Sequence, residues 1–261
     1  MKKLLLLVAL GCASLFSFSQ DVVNQTDAKG LKQGRWMGRY PGGTLKYEGA
    51  FVDNKPVGAW KRYHENGRIK AEISYRAHSE RALTSLFDDE GKLYAKGVFE
   101  GTLRDSLWNF YSGNQVVQRE NYRLGKREGV SAGFDQNGRL IWEKEWKNDL
   151  PEGRSVVYYP TGSKKSELTY QAGKKSGVAR FWEENGTVSM EGAYVDDLSD
   201  GDWKVYDREG KLKYVVKYGK GAILNSAMLD SLQLLEFKRN EQNRGKITEP
   251  KQNESGLPDN Q

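Results

Sequence analysis

The chain has 261 residues, a formal charge of +6, one cysteine, 29 glycines and 11% aromatic residues. Basic and acidic residues interleave throughout, with no stripe that could track a phosphate backbone, which argues against nucleic acid as a partner. An apolar content of 37%, rich in Tyr and Trp, suits thin β structure with many turns better than a thick globular core.

Residues 1–19 read as a secretory signal peptide. Lys2 and Lys3 form a charged start, Leu4 to Leu10 an apolar run too short to span a membrane, and Ser17-Phe18-Ser19 a small-x-small cleavage site before Gln20. The mature chain is therefore expected in the periplasm, in the outer envelope or outside the cell. Cys12 follows Ala9-Leu10-Gly11, a poor order for a lipobox, so lipidation is not expected. Cleavage removes the thiol, which excludes disulfides, thiolate metal sites and cysteine nucleophiles. The charge falls to about +4 once Lys2 and Lys3 are gone. The mature chain holds no apolar run long enough for a membrane helix.

After a lead at 20–30, residues 31–220 carry a repeat. Its leading small residues are Gly34, Gly58, Ala82, Ser106, Gly129, Gly153, Gly177 and Gly201. Each step is 24 residues except the 23 from Ser106 to Gly129. Such an array buries apolar surface only by stacking neighbours, which favours a binding surface over a single catalytic pocket. Asn66-Gly67, Asn137-Gly138 and Asn185-Gly186 mark hairpin tips, read as type I′ turns. Asp53-Asn54 and Asp149-Leu150-Pro151 mark turns between repeats. The fold class is all-β, an elongated twisted antiparallel meander of hairpins.

With Asn66 and Gly67 as the loop, Glu65 faces Arg68, Tyr63 faces Lys70, and Lys61 faces Glu72. Period-two alternation then defines two faces. The packed face takes Trp36, Leu45, Tyr47, Phe51, then Trp60, Ile69, Ala71, Ile73, Tyr75, and near the end Trp203, Leu212, Tyr214, Val216, Tyr218. Gly49 is expected opposite Trp36, giving an indole room to lie across the sheet. The other face carries an aromatic ladder of Tyr63, Phe87, Tyr111, Phe134, Tyr158, Trp182 and Tyr206. Beside it runs an acidic ladder of Glu48, Glu72, Glu120, Glu143, Glu167 and Glu191, with Lys96 in the third repeat. These two ladders are the candidate binding residues.

The pattern G-x-W-x2-Y-x3-G-x-L/I, then Glu and Tyr, is carried best by Gly58, Trp60, Tyr63, Gly67, Ile69, Glu72 and Tyr75. Gly201, Trp203, Tyr206, Gly210 and Leu212 repeat it, and Gly177, Trp182, Gly186, Val188, Glu191 and Tyr194 form a third copy. It resembles the MORN-repeat variant of bacterial chains of the YwqK-type antitoxin-module kind. The resemblance implies an all-β hairpin array used for contact with other molecules, usually proteins. The repeats from Ala82 and Ser106 depart from it, and a bend or local loss of sheet is expected there.

After Gly221 the spacing turns helical. Met228, Leu229, Leu232, Leu235 and Phe237 predict a helix over 226–240, with Asn225 or Ser226 as N-cap, docked on the last hairpin's edge. Residues 241–261 are polar and expected to be disordered. His64 and His78 read as exposed loop histidines outside any metal or nucleophile spacing. Glutamates that recur in nearly every repeat belong to cross-strand pairing, not to a local catalytic dyad. The sequence therefore predicts no enzyme activity, no metal and no cofactor. It points to a scaffold for an unidentified protein partner in the bacterial envelope. Glycan binding through the aromatic ladder, and an immunity-like role toward a toxin, stay open as alternatives.

Overall fold

The computed structural model describes residues 22–76 and 79–243. The expected signal peptide, His78 and the tail beyond Asn243 lie outside the described residues. Those residues form nineteen strands and one helix, in two compact modules divided between Leu93 and Tyr94.

In the N-terminal module, β1 (Gln25–Thr26), β2 (Lys32–Arg39), β3 (Leu45–Val52), β4 (Lys55–Tyr63), β5 (Ile69–Tyr75) and β6 (Arg81–Phe87) pair in chain order, antiparallel. The next strand, β7 (Leu93–Glu100), begins at the module boundary. The C-terminal module continues with β8 (Leu103–Ser112), β9 (Gln115–Arg123), β10 (Lys126–Arg127), β11 (Gly129–Phe134), β12 (Leu140–Lys147) and β13 (Leu150–Tyr158). It ends with β14 (Lys164–Gln171), β15 (Lys174–Trp182), β16 (Val188–Val195), β17 (Leu198–Tyr206), β18 (Leu212–Gly219), β19 (Ala222–Ile223) and α1 (Ser226–Asn243). Both modules are meanders, as the alternating hairpin and link turns require.

The two kinds of turn are assigned differently from the sequence expectation. At the Asn66-Gly67 tip, the His64 N–H donates to Arg68 O (2.9 Å) and the Gly67 N–H to His64 O (3.0 Å). Gly67 has φ 84°, whereas Asn66 is not left-handed. This is a type I turn closed by a left-handed glycine, a three-residue loop with a bulge, not a type I′ turn. The extra loop residue shifts the register, so Tyr63 faces Ile69 instead of Lys70, while Lys61 still faces Glu72. Type I′ geometry lies instead in the links. Asp53 and Asn54 have φ 49° and 65°, Asn148 and Asp149 50° and 69°, Asp196 and Asp197 48° and 70°.

The links also clamp one another. Asn54 donates its N–H to Lys32 O (3.2 Å) and accepts the Lys32 N–H on Oδ1 (2.8 Å). Asp149 does the same to Arg127 at 3.1 and 2.9 Å, and Asp197 to Lys175 at 2.9 and 2.8 Å. Each closed pair satisfies backbone groups that a tight turn would otherwise leave to water.

The leading residue of a repeat sits in a bulge. Gly58, Gly177 and Gly201 have φ 65°, 100° and 72°, and Ser106 adopts 58° without being glycine. Ala82 is not left-handed, and β5 pairs with β6 without a register shift. The two departing repeats therefore keep their strands, and only the one from Ala82 loses its bulge.

The packed face follows the sequence reading, with Trp60, Ala71, Trp203 and Val216 buried, although Leu212 is exposed. Trp36 and Gly49 are register partners. The ring that needs the glycine is nevertheless Trp60 of the next strand, since a Cβ on Gly49 would collide with its indole. The arrangement recurs between Gly97 and Trp108 and between Gly192 and Trp203. Each of these indoles donates to the carbonyl after the glycine, Ala50, Val98 or Ala193, at 3.0–3.1 Å. Each also meets an aromatic edge, Phe51, Phe99 or Tyr194, at 4.8–5.0 Å. Where the tryptophan position holds a small residue, the partner is large: Thr84 faces Ile73, Ala179 faces Leu168, and Ser155 faces Lys144. One side chain fills each site, from one strand or the other, as close packing demands.

Leu229 of α1 packs on the cluster of Ala179, Trp203 and Val216. Asn225 does not cap the helix through its side chain. Its amide bonds Val215 O and the Lys217 N–H (both 2.9 Å), extending the edge of β18. Leu235, placed by its spacing on the docked stripe, is 62% exposed.

Candidate binding surface

Alternation along β4, β8, β13, β15 and β17 turns the residues at Tyr63, Tyr111, Tyr158, Trp182 and Tyr206 away from the buried tryptophans. Phe87 and Phe134 hold the matching positions in β6 and β11. All of these rings are half-buried.

The two predicted ladders meet. The Tyr63 hydroxyl donates to Glu48 at 2.6 Å, Tyr158 to Glu143 at 2.9 Å and Tyr206 to Glu191 at 2.9 Å. Cations complete two of these rungs. Arg35 reaches Glu48 at 3.3 Å, and Arg180 and Lys204 reach Glu191 at 3.3 and 3.4 Å. Beside Trp182, which has no hydroxyl, Glu167 takes Arg154 at 3.0 Å and Lys164 at 2.8 Å.

The electrostatics follow from these bonds. The Arg154 hydrogen bond, with Lys164 adding to it, holds Glu167 down to about 2. The tyrosine hydrogen bonds lower Glu48 and Glu191. Burial, then the Glu48 hydrogen bond, pushes Tyr63 up to about 12. Glu72 is exposed and lies in register with Lys61 and Ser85.

Glu120 does not stand in the ladder where the repeat spacing places it. The missing residue of the 23-residue step lies at the β8–β9 tip, where Ser112 faces Gln115 and only two residues form the loop. One residue fewer exchanges the faces of β9. Asn109, on the ladder face, therefore meets Arg119, while Glu120 pairs with Trp108 on the packed face. There Glu120 is 8% exposed and accepts hydrogen bonds from Tyr122 and from Gln118 (2.9 Å). The ladder of the C-terminal module thus reads Lys96, Arg119, Glu143, Glu167, Glu191.

His64 is likewise no free loop histidine. It is half-buried, and its Nε2 lies 3.0 Å from Phe87 O. Tyr40 and Tyr159 span the same gap between hairpin tips, donating to Tyr63 O (2.9 Å) and Trp182 O (2.8 Å). After Tyr111 the equivalent residue is the short Ser112. Beside that tip lies a shallow depression of about 260 Å³ lined by Gln115, Val116, Arg119, Phe134 and Gly138.

A second aromatic row was missed by sequence reasoning. Phe51, Tyr75, Phe99, Tyr122, Trp146, Tyr170, Tyr194 and Tyr218 hold one repeat position in every repeat, all half-buried on the packed face. Cations lie over them, Arg127 at 3.6 Å from the Trp146 ring and Lys175 at 5.1 Å from Tyr194. The packed-face reading held only Phe51, Tyr75 and Tyr218, and Tyr194 entered only through the repeat pattern, although the unbroken periodicity was the available signal.

Among the described residues, no group of three His, Cys, Asp or Glu side chains could hold a metal, and no helix is long and apolar enough to cross a membrane. No curated protein matches the chain. Residues 56–77, 151–172 and 199–219 match the model of the MORN repeat variant. Two matches fall on copies expected to carry it, from Gly58 and Gly201; the third falls on the repeat from Gly153, and the expected copy from Gly177 lies outside the matched residues. The chain is thus a repeat protein carrying MORN repeat variant units at three places.

Proposed function

We propose that the protein is exported and acts as a non-enzymatic scaffold in the bacterial envelope, binding a protein partner through its ladder face. The observation that carries this reading is the set of half-exposed aromatic rings held by Tyr–Glu bonds and flanking cations. A surface ordered before binding loses little side-chain entropy on association, and Tyr and Trp are the residues that anchor interfaces. The MORN repeat variant, generally non-enzymatic, supports the same reading. Export rests on the charged start, apolar run and small-x-small site of residues 1–19.

The test is capture from solubilised envelopes with the mature chain, compared with Trp182→Ala and Phe134→Ala. One stoichiometric protein lost in both variants supports the scaffold. Saturable binding to a glycan array, lost in both variants and with no protein captured, overturns it in favour of the glycan reading. Retention of the full-length chain in the cytoplasm on fractionation overturns export.

A further inference from the structure

We infer that the ladder's inverted rung, around Lys96 and Arg119, is a docking site for an acidic segment of the protein partner. This rests on the scaffold reading and deepens it. Elsewhere on this face a Tyr hydroxyl bonds a glutamate of the chain itself, as at Glu143 and Glu191, and at Glu191 two cations join it. Around Asn109 the glutamate is missing. Lys96 and Arg119 both pair in register with Asn109, one on each side. Tyr111 takes the ring position that Tyr158 and Tyr206 take beside their glutamates.

The side chains of Lys96, Asn109, Tyr111 and Arg119 make no hydrogen bond or ion pair with any described residue. Arg119 is already oriented, its guanidinium carbon lying over the Phe134 ring at 5.0 Å, at the rim of the depression. Two cations, an amide and a phenol hydroxyl thus line a surface where no carboxylate of the described residues pairs with them. A carboxylate is the group that the same side-chain types hold two rungs away, and guanidinium binds it through a bidentate fork. Lys96 and Arg119 lie two strands apart, roughly 9–10 Å. Glutamates at alternate positions of an extended peptide span about 7 Å, and their flexible side chains cover the rest. The depression beside Val116 offers room for an apolar side chain of the same segment.

The probe is a fluorescent hexapeptide with glutamate at alternate positions, titrated into the mature chain and followed by anisotropy. Arg119→Glu restores the regular ladder polarity at an exposed position, and unchanged thermal unfolding shows that it folds. Binding should weaken at least tenfold in Arg119→Glu, weaken with salt, and weaken at least tenfold when the peptide carries Gln in place of Glu. Absence of binding, equal binding by the Gln peptide, or binding unaffected by Arg119→Glu each overturns the inference. Envelope capture that survives Arg119→Glu while the peptide fails to bind sinks the acidic ligand and leaves the scaffold standing. Specific peptide binding without any captured protein does the reverse.

Discussion

The stretch from β15 to β18 and the stretch from β7 to β11 obey one plan and present different surfaces. In the first, Gly192 makes room for Trp203 and Tyr206 donates to Glu191 beside Arg180. In the second, Gly97 and Trp108 repeat the packing, but the ladder position is held by Arg119. A tip shortened by one residue accounts for the difference. Period-two alternation means that one residue lost in a turn exchanges the faces of a strand without disturbing the packing upstream. In an array, a turn deletion is therefore a way to change surface chemistry locally.

The packing half of the comparison can be broken most severely. Trp203→Ala should cost about 3–5 kcal/mol in urea unfolding, and Gly192→Leu should be comparably harmful because its side chain enters the indole. Together they rebuild the Ala179–Leu168 arrangement and should recover at least half of the loss. A double variant no more stable than the worse single one would disprove reciprocal filling.

Acid separates the rungs next. Glu167 is held at about 2 against an ordinary 4.5, so its contribution is complete above 4.5 and disappears as pH falls toward 2. Wild-type stability should decline across that window, and Glu167→Gln should flatten the decline. Parallel pH profiles for the two proteins would count against the rung. At the alkaline end, Tyr63 is raised from 10.0 to about 12, so its contribution should fade between those values.

The third contrast is between two tyrosines of the C-terminal module. Tyr158→Phe should cost about 0.5–1.5 kcal/mol through loss of the Glu143 bond. Tyr111→Phe should leave stability unchanged, its hydroxyl having no described partner. Equal effects would erase the distinction between complete and inverted rungs.

The smallest effects have opposite signs. Ser106 is left-handed, so Ser106→Gly should stabilise by up to about 1 kcal/mol. Ala82 is not, so Ala82→Gly should destabilise by roughly 0.5–1 kcal/mol. Thermal unfolding of the pair decides it, and a common sign would refute the bulge assignment.

Much of this was legible in the sequence. The repeat gave the strands, and alternation gave the faces, as Trp60, Ala71, Trp203 and Val216 show. The turn types were not legible, because Asn-Gly satisfies a type I′ turn and equally a type I turn closed by its glycine. Glu120 was misplaced because repeat length reveals that a residue is absent without revealing where. Gly49 was matched to its register partner, whereas the bulge at Gly58 directs the next strand's indole over it.

The closed pairs also bear on how such a chain can be lengthened. A segment counted from Gly58 separates Gly49 from Trp60 and Glu48 from Tyr63. A segment counted from tip to tip, 44–67, holds both pairs together with the Asp53-Asn54 link, and 187–210 does the same for Gly192, Trp203, Glu191 and Tyr206. Tandem duplication of such a tip-to-tip cassette copies a finished set of contacts. Duplication of the glycine-led segment leaves each new junction dependent on what it happens to meet.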